Sequence, residues 1–262
     1  MENTDITYTL ITGASGGIGY EFARVFAKEH HNLILVARNM NKLKQIKEEF
    51  EYKYKIKVRV FSVDLSKRDA ANELYKKVKE EGLRVDNLVN NAGVGDWSRF
   101  LDSNWNRQYD MVQLNITSLM QMTYLFGNDM KENGGGHILN LSSVAAFSAG
   151  PYMSIYYASK GYVLSFSQSI AEELKDTGVK ITAYCPGPTA TGFEKEAQMK
   201  NSKMFTFIKP ANAKSVAEYG YKKMMRGKIV VYHGLFTKVS NIMSRILPRS
   251  IVTKFAGIIN GR

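Results

Sequence analysis

The chain has 262 residues, 44% of them hydrophobic and 23% charged, the balance of a globular protein with room for one large core. No run of about 18 uncharged apolar residues occurs, so no segment reads as a bilayer span, and the single cysteine, Cys185, leaves no intrachain disulfide. The net charge of +12 is scattered through lysines in 42–57, 67–79 and 195–228 with no nucleic-acid-binding motif; it reads as a solvated exterior that favours phosphorylated cofactors, and no nucleic-acid partner is expected.

Residues 1–5 are acidic and polar and lack the basic segment of a signal peptide, which together with the lone thiol points to the cytoplasm. Short β-branched runs then alternate with longer amphipathic ones. Residues 8–12, 33–37, 58–63, 87–90, 137–141 and 180–185 are predicted strands, nearly continuous in apolarity, as strands buried on both faces are. Among the helices, 17–29 carries Ile18, Phe22, Val25 and Phe26 at helical spacing, and 41–55 sets Leu43, Ile46 and Phe50 on one side. Helices over 67–81, 105–130 and 154–176 complete the alternation, with Gly134, Gly135 and Gly136 as a tight turn after the fourth. Beyond Pro186 the pattern breaks. Residues 187–210 form a mixed segment taken as a substrate loop, 211–226 a helix, 229–232 a short strand, and 235–262 a basic amphipathic tail interrupted at Pro248. The whole predicts one domain over 1–262: a doubly wound α/β fold, Rossmann-like, with a parallel sheet of about seven strands and helices on both faces.

Thr12-Gly13-Ala14-Ser15-Gly16-Gly17-Ile18-Gly19 links the first strand to the first helix. Gly13, Gly17 and Gly19 let the backbone turn sharply and approach a pyrophosphate, toward which the helix directs its first N–H groups and positive dipole end. Arg38 closes the second strand where an NAD site carries an acid for the ribose 2′-hydroxyl. A guanidinium suits a 2′-phosphate instead, so NADP(H) is the expected cofactor and NAD(H) the alternative; a surface arginine capping a strand is the plainer account. Tyr156 and Lys160 lie one helical turn apart, and an ammonium beside a phenol lowers its pKa toward the range useful for reversible proton transfer. Tyr157 competes for that role at a spacing of three. Ser142 and Ser143 end the fifth strand at its carboxyl edge, where a hydroxyl can donate to a substrate oxygen. Asn115 sits inside a helix, where asparagine is intrinsically poor; bonding a helical carbonyl would account for it. No metal site is expected.

This ordered set resembles the short-chain dehydrogenase/reductase family, whose Thr-Gly-x-x-x-Gly-x-Gly is matched at 12–19 and whose Tyr-x-x-x-Lys is matched at Tyr156 and Lys160, selecting Tyr156 over Tyr157. The resemblance runs from residue 5 to about 192. It implies that Gly13, Ser15, Gly17, Ile18 and Gly19 hold the dinucleotide, that Asp64 caps the adenine amino group as well as serving Ser66, and that Asn91, Ala92 and Gly93 lie against the adenosine side, with Asn90 tying strands together. It places Ser143, thirteen residues before Tyr156, in the catalytic group ahead of Ser142, and gives Asn115 a water that relays protons to Lys160. Pro186, Gly187, Thr189 and Thr191 would hold the nicotinamide carboxamide. The implied reaction is hydride transfer between nicotinamide and a small-molecule carbonyl or alcohol substrate, in a homodimer or homotetramer; the alternative is a catalytically silent NADP(H)-binding or sensor protein.

Trp97, Phe147, Tyr152, Met153, Phe193, Met199, Met204, Phe205 and Phe207 fall in segments near the expected substrate mouth and favour a hydrophobic substrate, unless they are core or dimer contacts. The basic tail could cover the cleft or, as a less favoured reading, make peripheral contact with an anionic membrane.

Overall fold

Leu33 and Leu35 pack into one layer of helices while Ile34 and Val36 pack into the other, all four without solvent exposure. Successive side chains of a strand point to opposite faces, so this run lies in a sheet covered on both sides. A computed structural model describes residues 6–199 and 209–261. Its main sheet contains β1 (Thr7–Thr12), β2 (Asn32–Ala37), β3 (Val58–Ser62), β4 (Arg84–Asn90), β5 (Gly136–Leu141), β6 (Val179–Pro186) and β7 (Val230–His233). All pairings are parallel, in the order β3-β2-β1-β4-β5-β6-β7. The chain forms a single Rossmann-like domain.

One face is covered by α1 (Gly17–Lys28), α2 (Met40–Tyr54) and α7 (Ala213–Met224) through Phe22, Phe26, Leu43, Phe50 and Val216. The other is covered by α3 (Ala70–Glu80), α5 (Leu119–Glu132) and α6 (Ser154–Glu173) through Leu74, Phe126 and Ala171. Two helices, α8 (Leu235–Ile246) and α9 (Arg249–Asn260), follow β7. No helix among the described residues is long and apolar enough to cross a membrane.

Most departures from the sequence expectations are local. β4 starts three residues early because Val85 is buried although charged Arg84 and Asp86 interrupt the apolar run. α3 starts at Ala70, since Asp69 adopts a left-handed φ of 59°. Gly134 and Gly135, at φ 89° and 129°, make the turn by themselves, and Gly136 already belongs to β5. The helix expected over 105–130 is α4 (Trp105–Val112) running through a π-helical segment, Gln113–Ser118, into α5. Strand order reverses between β1 and β4, and the crevice at the carboxyl ends of those strands is where open α/β sheets bind ligands.

Candidate active site

The turn after β1 is built by backbone-to-backbone contact. A Cβ on Gly19 would stand 2.3 Å from the Gly13 carbonyl oxygen, and Gly13 and Gly17 have φ of 65° and 54°. The start of β4's following loop braces this turn. Asn91 donates its side-chain amide to the Thr12 carbonyl (2.9 Å), and Thr12 Oγ1 accepts from the backbone amides of Asn91 (3.0 Å) and Ala92 (2.9 Å). Below it, Asn90 donates to Asn140 Oδ1 (2.9 Å) and Thr123 Oγ1 (3.0 Å), and Asn140 donates to Ser167 (3.0 Å), so a fully buried polar chain joins β4, α5, β5 and α6.

A cavity of about 640 Å³, within the usual range for small-molecule sites, runs from Gly13 and Ser15 past Arg38 and Asp64 to Ala92 and Gly93. Ile18 does not line it; its side chain packs against the core beside α1. Arg38 borders the cavity and pairs with Glu196 at 3.3 Å, both groups largely exposed. Exposed pairs of this kind contribute little, so the guanidinium can exchange Glu196 for another anion. Burial opposes ionisation of Asp64, but bonds from the Ser66 hydroxyl (2.7 Å) and amide (3.1 Å), with Arg38 and Lys67 nearby, outweigh it and hold the carboxyl below its ordinary range. A glycine turn that admits no side chain, opening onto a cavity lined by Asp64 and Arg38, fits a dinucleotide.

Tyr156 and Lys160 project from the first turns of α6, beside the loop that follows β5. Ser142 donates to the Lys160 carbonyl (2.8 Å) and so braces α6. Ser143 is the serine close enough to Tyr156 to act on its phenol, and its hydroxyl accepts from the Ala145 amide (3.2 Å). Burial pushes the Tyr156 phenol up to about 12, the nearby Ser143 offsetting part of the rise. Burial also pulls the Lys160 ammonium down to about 8. The ammonium-lowered phenol expected from sequence is therefore not the arrangement found. Lys160 Nζ donates to the Leu141 carbonyl (2.8 Å) and stands 5.8 Å from the centre of the Tyr156 ring, above its face, so desolvation governs both groups.

Asn115 lies in the π-helical segment and is fully buried. Its amide donates to the Val94 carbonyl (2.9 Å) and Ser159 (3.1 Å), and its Oδ1 accepts from the Val94 amide (3.0 Å). It thus clamps a loop instead of bonding a helical carbonyl. A Cβ on Gly93 would meet Asn115 Oδ1 at 3.2 Å and Lys160 Nζ at 3.4 Å, which shows how closely these groups converge.

Pro186 ends β6, and the segment after it crosses in front of α1: a Cβ on Gly17 would lie 3.2 Å from the Thr191 side chain. Thr189 donates to the Gly187 carbonyl (2.9 Å), and Thr191 Oγ1 accepts from the Phe193 amide (3.1 Å). Met153 and Met199 form a small apolar cluster with Ala145, Tyr157, Ala197 and Ala256, against which Trp97, Tyr156 and Phe193 pack. The Phe193 ring is 5.2 Å from that of Tyr156, and Tyr152 is 6.5 Å from Trp97. Phe147 packs instead on Tyr232 at 5.7 Å. Met204, Phe205 and Phe207 lie outside the described residues.

Three residues of the site carried no sequence signal. Arg107 borders the cavity, pairs with Asp96 at 2.6 Å and donates to the carbonyls of Gly95 (3.1 Å) and Glu196. Glu196 meets Arg38 from 158 residues away. Asn260, near the end of the chain, accepts from the Tyr157 hydroxyl (3.1 Å), donates to the Pro151 carbonyl (3.1 Å) and receives the Trp97 indole N–H on its own carbonyl (2.7 Å). Tyr157 is thereby a tether for α9, whose Ala256 joins the apolar cluster beside Tyr156.

Residues 7–202 match the short chain dehydrogenase family. This chain belongs to that family. It is 34% identical over 201 residues to mouse 17-beta-hydroxysteroid dehydrogenase type 3, an alignment that covers 75% of this chain and 64% of that protein. The chain therefore spans less than two thirds of that relative's length. Identity to mouse very-long-chain 3-oxoacyl-CoA reductase is 28% over 263 residues, covering 97% of this chain and 81% of the relative. Among solved structures, the short-chain dehydrogenase from Sphingobium yanoikuyae in complex with NADPH superposes with a TM-score of 0.81 at 25% identity, covering 93% of this chain and 97% of the other.

Proposed function

We propose that this short-chain dehydrogenase is an NADP(H)-dependent oxidoreductase acting on a hydrophobic ketone, aldehyde or alcohol. The observation that carries this reading is the convergence of Ser143, Tyr156 and Lys160, the last above the phenol ring, at the carboxyl edge of a sheet whose glycine turn and cavity fit a dinucleotide. Gly13, Ser15, Gly17 and Gly19, with Ile18 through its backbone alone, would hold its pyrophosphate, Asp64 and Asn91–Gly93 its adenosine, Arg38 a 2′-phosphate, and Pro186, Gly187, Thr189 and Thr191 its carboxamide. When bound, the cofactor supplies or accepts the hydride. Tyr156 gives a proton to the substrate oxygen or takes one from it, Ser143 donates a hydrogen bond to that oxygen, and Lys160, which stands over the ring face and not at the hydroxyl, would hold the nicotinamide ribose beside Tyr156. Asn115 fixes the Val94 loop beside Lys160, a position from which it can seat a relay water.

The apolar cluster around Tyr156 supports a hydrophobic substrate, and the relatives named for steroid and very-long-chain acyl substrates point the same way. Trp105, Tyr109, Tyr124 and Tyr162 are exposed on α4, α5 and α6, which supports a homodimer or homotetramer through that face. The buried free thiol of Cys185 suits the reducing cytoplasm. A panel of ketones and alcohols followed by nucleotide absorbance tests the reading: turnover of steroid-like or long-chain ketones with NADPH in preference to NADH is expected. Preference for small charged hydroxy acids, or for NADH, would overturn the substrate or cofactor assignment.

A further inference from the structure

The two helices after β7 are amphipathic in the reverse sense. At 100° per residue, Leu235, Val239, Ile242 and Ile246 fall within about 60° of one another on α8. A stripe of this kind ordinarily faces a core. Here it faces outward: Leu235 is 76% and Ile246 71% exposed, while the opposite side of α8 presents buried Thr237 and half-buried Ser240, Asn241 and Ser244 to the protein. α9 repeats the pattern. Ile251, Phe255 and Ile258 share one stripe, with Phe255 58% and Ile258 60% exposed, and the buried side carries Ala256 and Asn260. The hydrogen bonds of Asn260 to Tyr157, Pro151 and Trp97 fix α9 in this orientation.

Charge accompanies the apolar stripes. Lys238 and Arg245 flank the stripe of α8, Arg249 opens α9 and Lys254 adjoins Phe255; the sequence contains no acidic residue after Glu218. A surface groove brings Ile258 and Lys254 together with Phe100 and Arg99, beside the adjacent, almost fully exposed Leu101. A helix of 12 residues is about 18 Å long, too short to span a bilayer but suited to lie in its interface.

From these observations we infer that the outward faces of α8 and α9 dock on an anionic lipid bilayer, with their apolar stripes in the interface and their cations at the headgroups. A second copy of the chain fits this face poorly, because a self-complementary contact would set Lys238, Arg245, Arg249 and Lys254 against the same four cations. The docking stands independently of the reaction proposed above.

Flotation of the full chain with vesicles tests the inference. Binding to phosphatidylcholine vesicles containing phosphatidylglycerol is expected to exceed binding to pure phosphatidylcholine vesicles by at least about tenfold, and to fall at high salt. The double variant Ile242→Glu/Ile246→Glu and the charge variant Arg245→Gln/Arg249→Gln should each lose about tenfold or more of the bound fraction. Both alter exposed side chains, and an unchanged melting temperature and circular dichroism spectrum would show that they fold. Protein left entirely unbound, or binding equal in the folded variants, would overturn the inference. So would a fall in oligomer mass by light scattering in Ile242→Glu/Ile246→Glu, because the face would then be a contact between copies.

Discussion

Lys160 is a buried amine whose pKa is pulled from its ordinary 10.5 to about 8, and this makes its charge a burden on the folded state. Between those values the unfolded chain still holds a proton that the folded chain has shed, so stability rises with pH through this window. Below pH 8 both states are protonated and the burden is fully present: at pH 7 it is about 3 kcal/mol, falling to about 1 kcal/mol by about pH 9.5. Replacing Lys160 by methionine removes the titrating group. Packing changes and the lost bond to the Leu141 carbonyl do not titrate in this range, so they cancel when the stability difference between the two chains is compared at two pH values. Tyr156, held up at about 12, departs from its ordinary behaviour only above about pH 10 and is common to both chains. Urea unfolding followed by far-ultraviolet circular dichroism at pH 7 and about pH 9.5 should therefore show the advantage of Lys160→Met shrinking by about 2 kcal/mol. Parallel profiles for the two proteins would refute the reasoning, since the ammonium would then be solvated in the folded state.

Two further outcomes follow from the same geometry. Gly19→Ala places a Cβ against the Gly13 carbonyl, a backbone atom that cannot swing away, and should abolish nucleotide binding in a fluorescence titration and destabilise the fold by about 1–3 kcal/mol; Gly192→Ala, with nothing within 4 Å, should change neither. Asn260→Ala leaves the Tyr157 hydroxyl buried without its acceptor and should destabilise the protein by about 1–3 kcal/mol in chemical unfolding, with faster proteolysis of the tail.

The parts of this protein that were legible in sequence are those where one residue type satisfies a strict local demand. Leu33 to Val36 reads as a doubly covered strand because every position is apolar, and Gly13, Gly17 and Gly19 read as a phosphate turn because left-handed φ and close backbone contact exclude side chains. Helical spacing sets Tyr156 and Lys160 on one face, while the choice of Tyr156 over Tyr157 rests on the resemblance to the family's Tyr-x-x-x-Lys. The π-helical segment at Gln113–Ser118 did not declare itself, since its composition matches the α-helix on either side. Nor did the partners of Arg107 or Asn260, which lie up to 163 residues away. The electrostatics of Tyr156 were misjudged for a related reason: spacing puts an amine near a phenol, but only the fold decides whether it meets the hydroxyl or the ring face. The tail shows the same limit, for periodicity locates the stripe at Leu235, Val239, Ile242 and Ile246 without saying which side meets the protein.

The most direct test of the proposed chemistry is single-turnover kinetics of Tyr156→Phe, with nucleotide affinity measured on the same preparation. Loss of about a hundredfold or more in the chemical step, with NADPH affinity preserved, is the expected result. Turnover at the wild-type rate would contradict the role given to this phenol, and a wild-type chain that binds NADPH yet reduces no carbonyl would point to a binding or sensing protein instead.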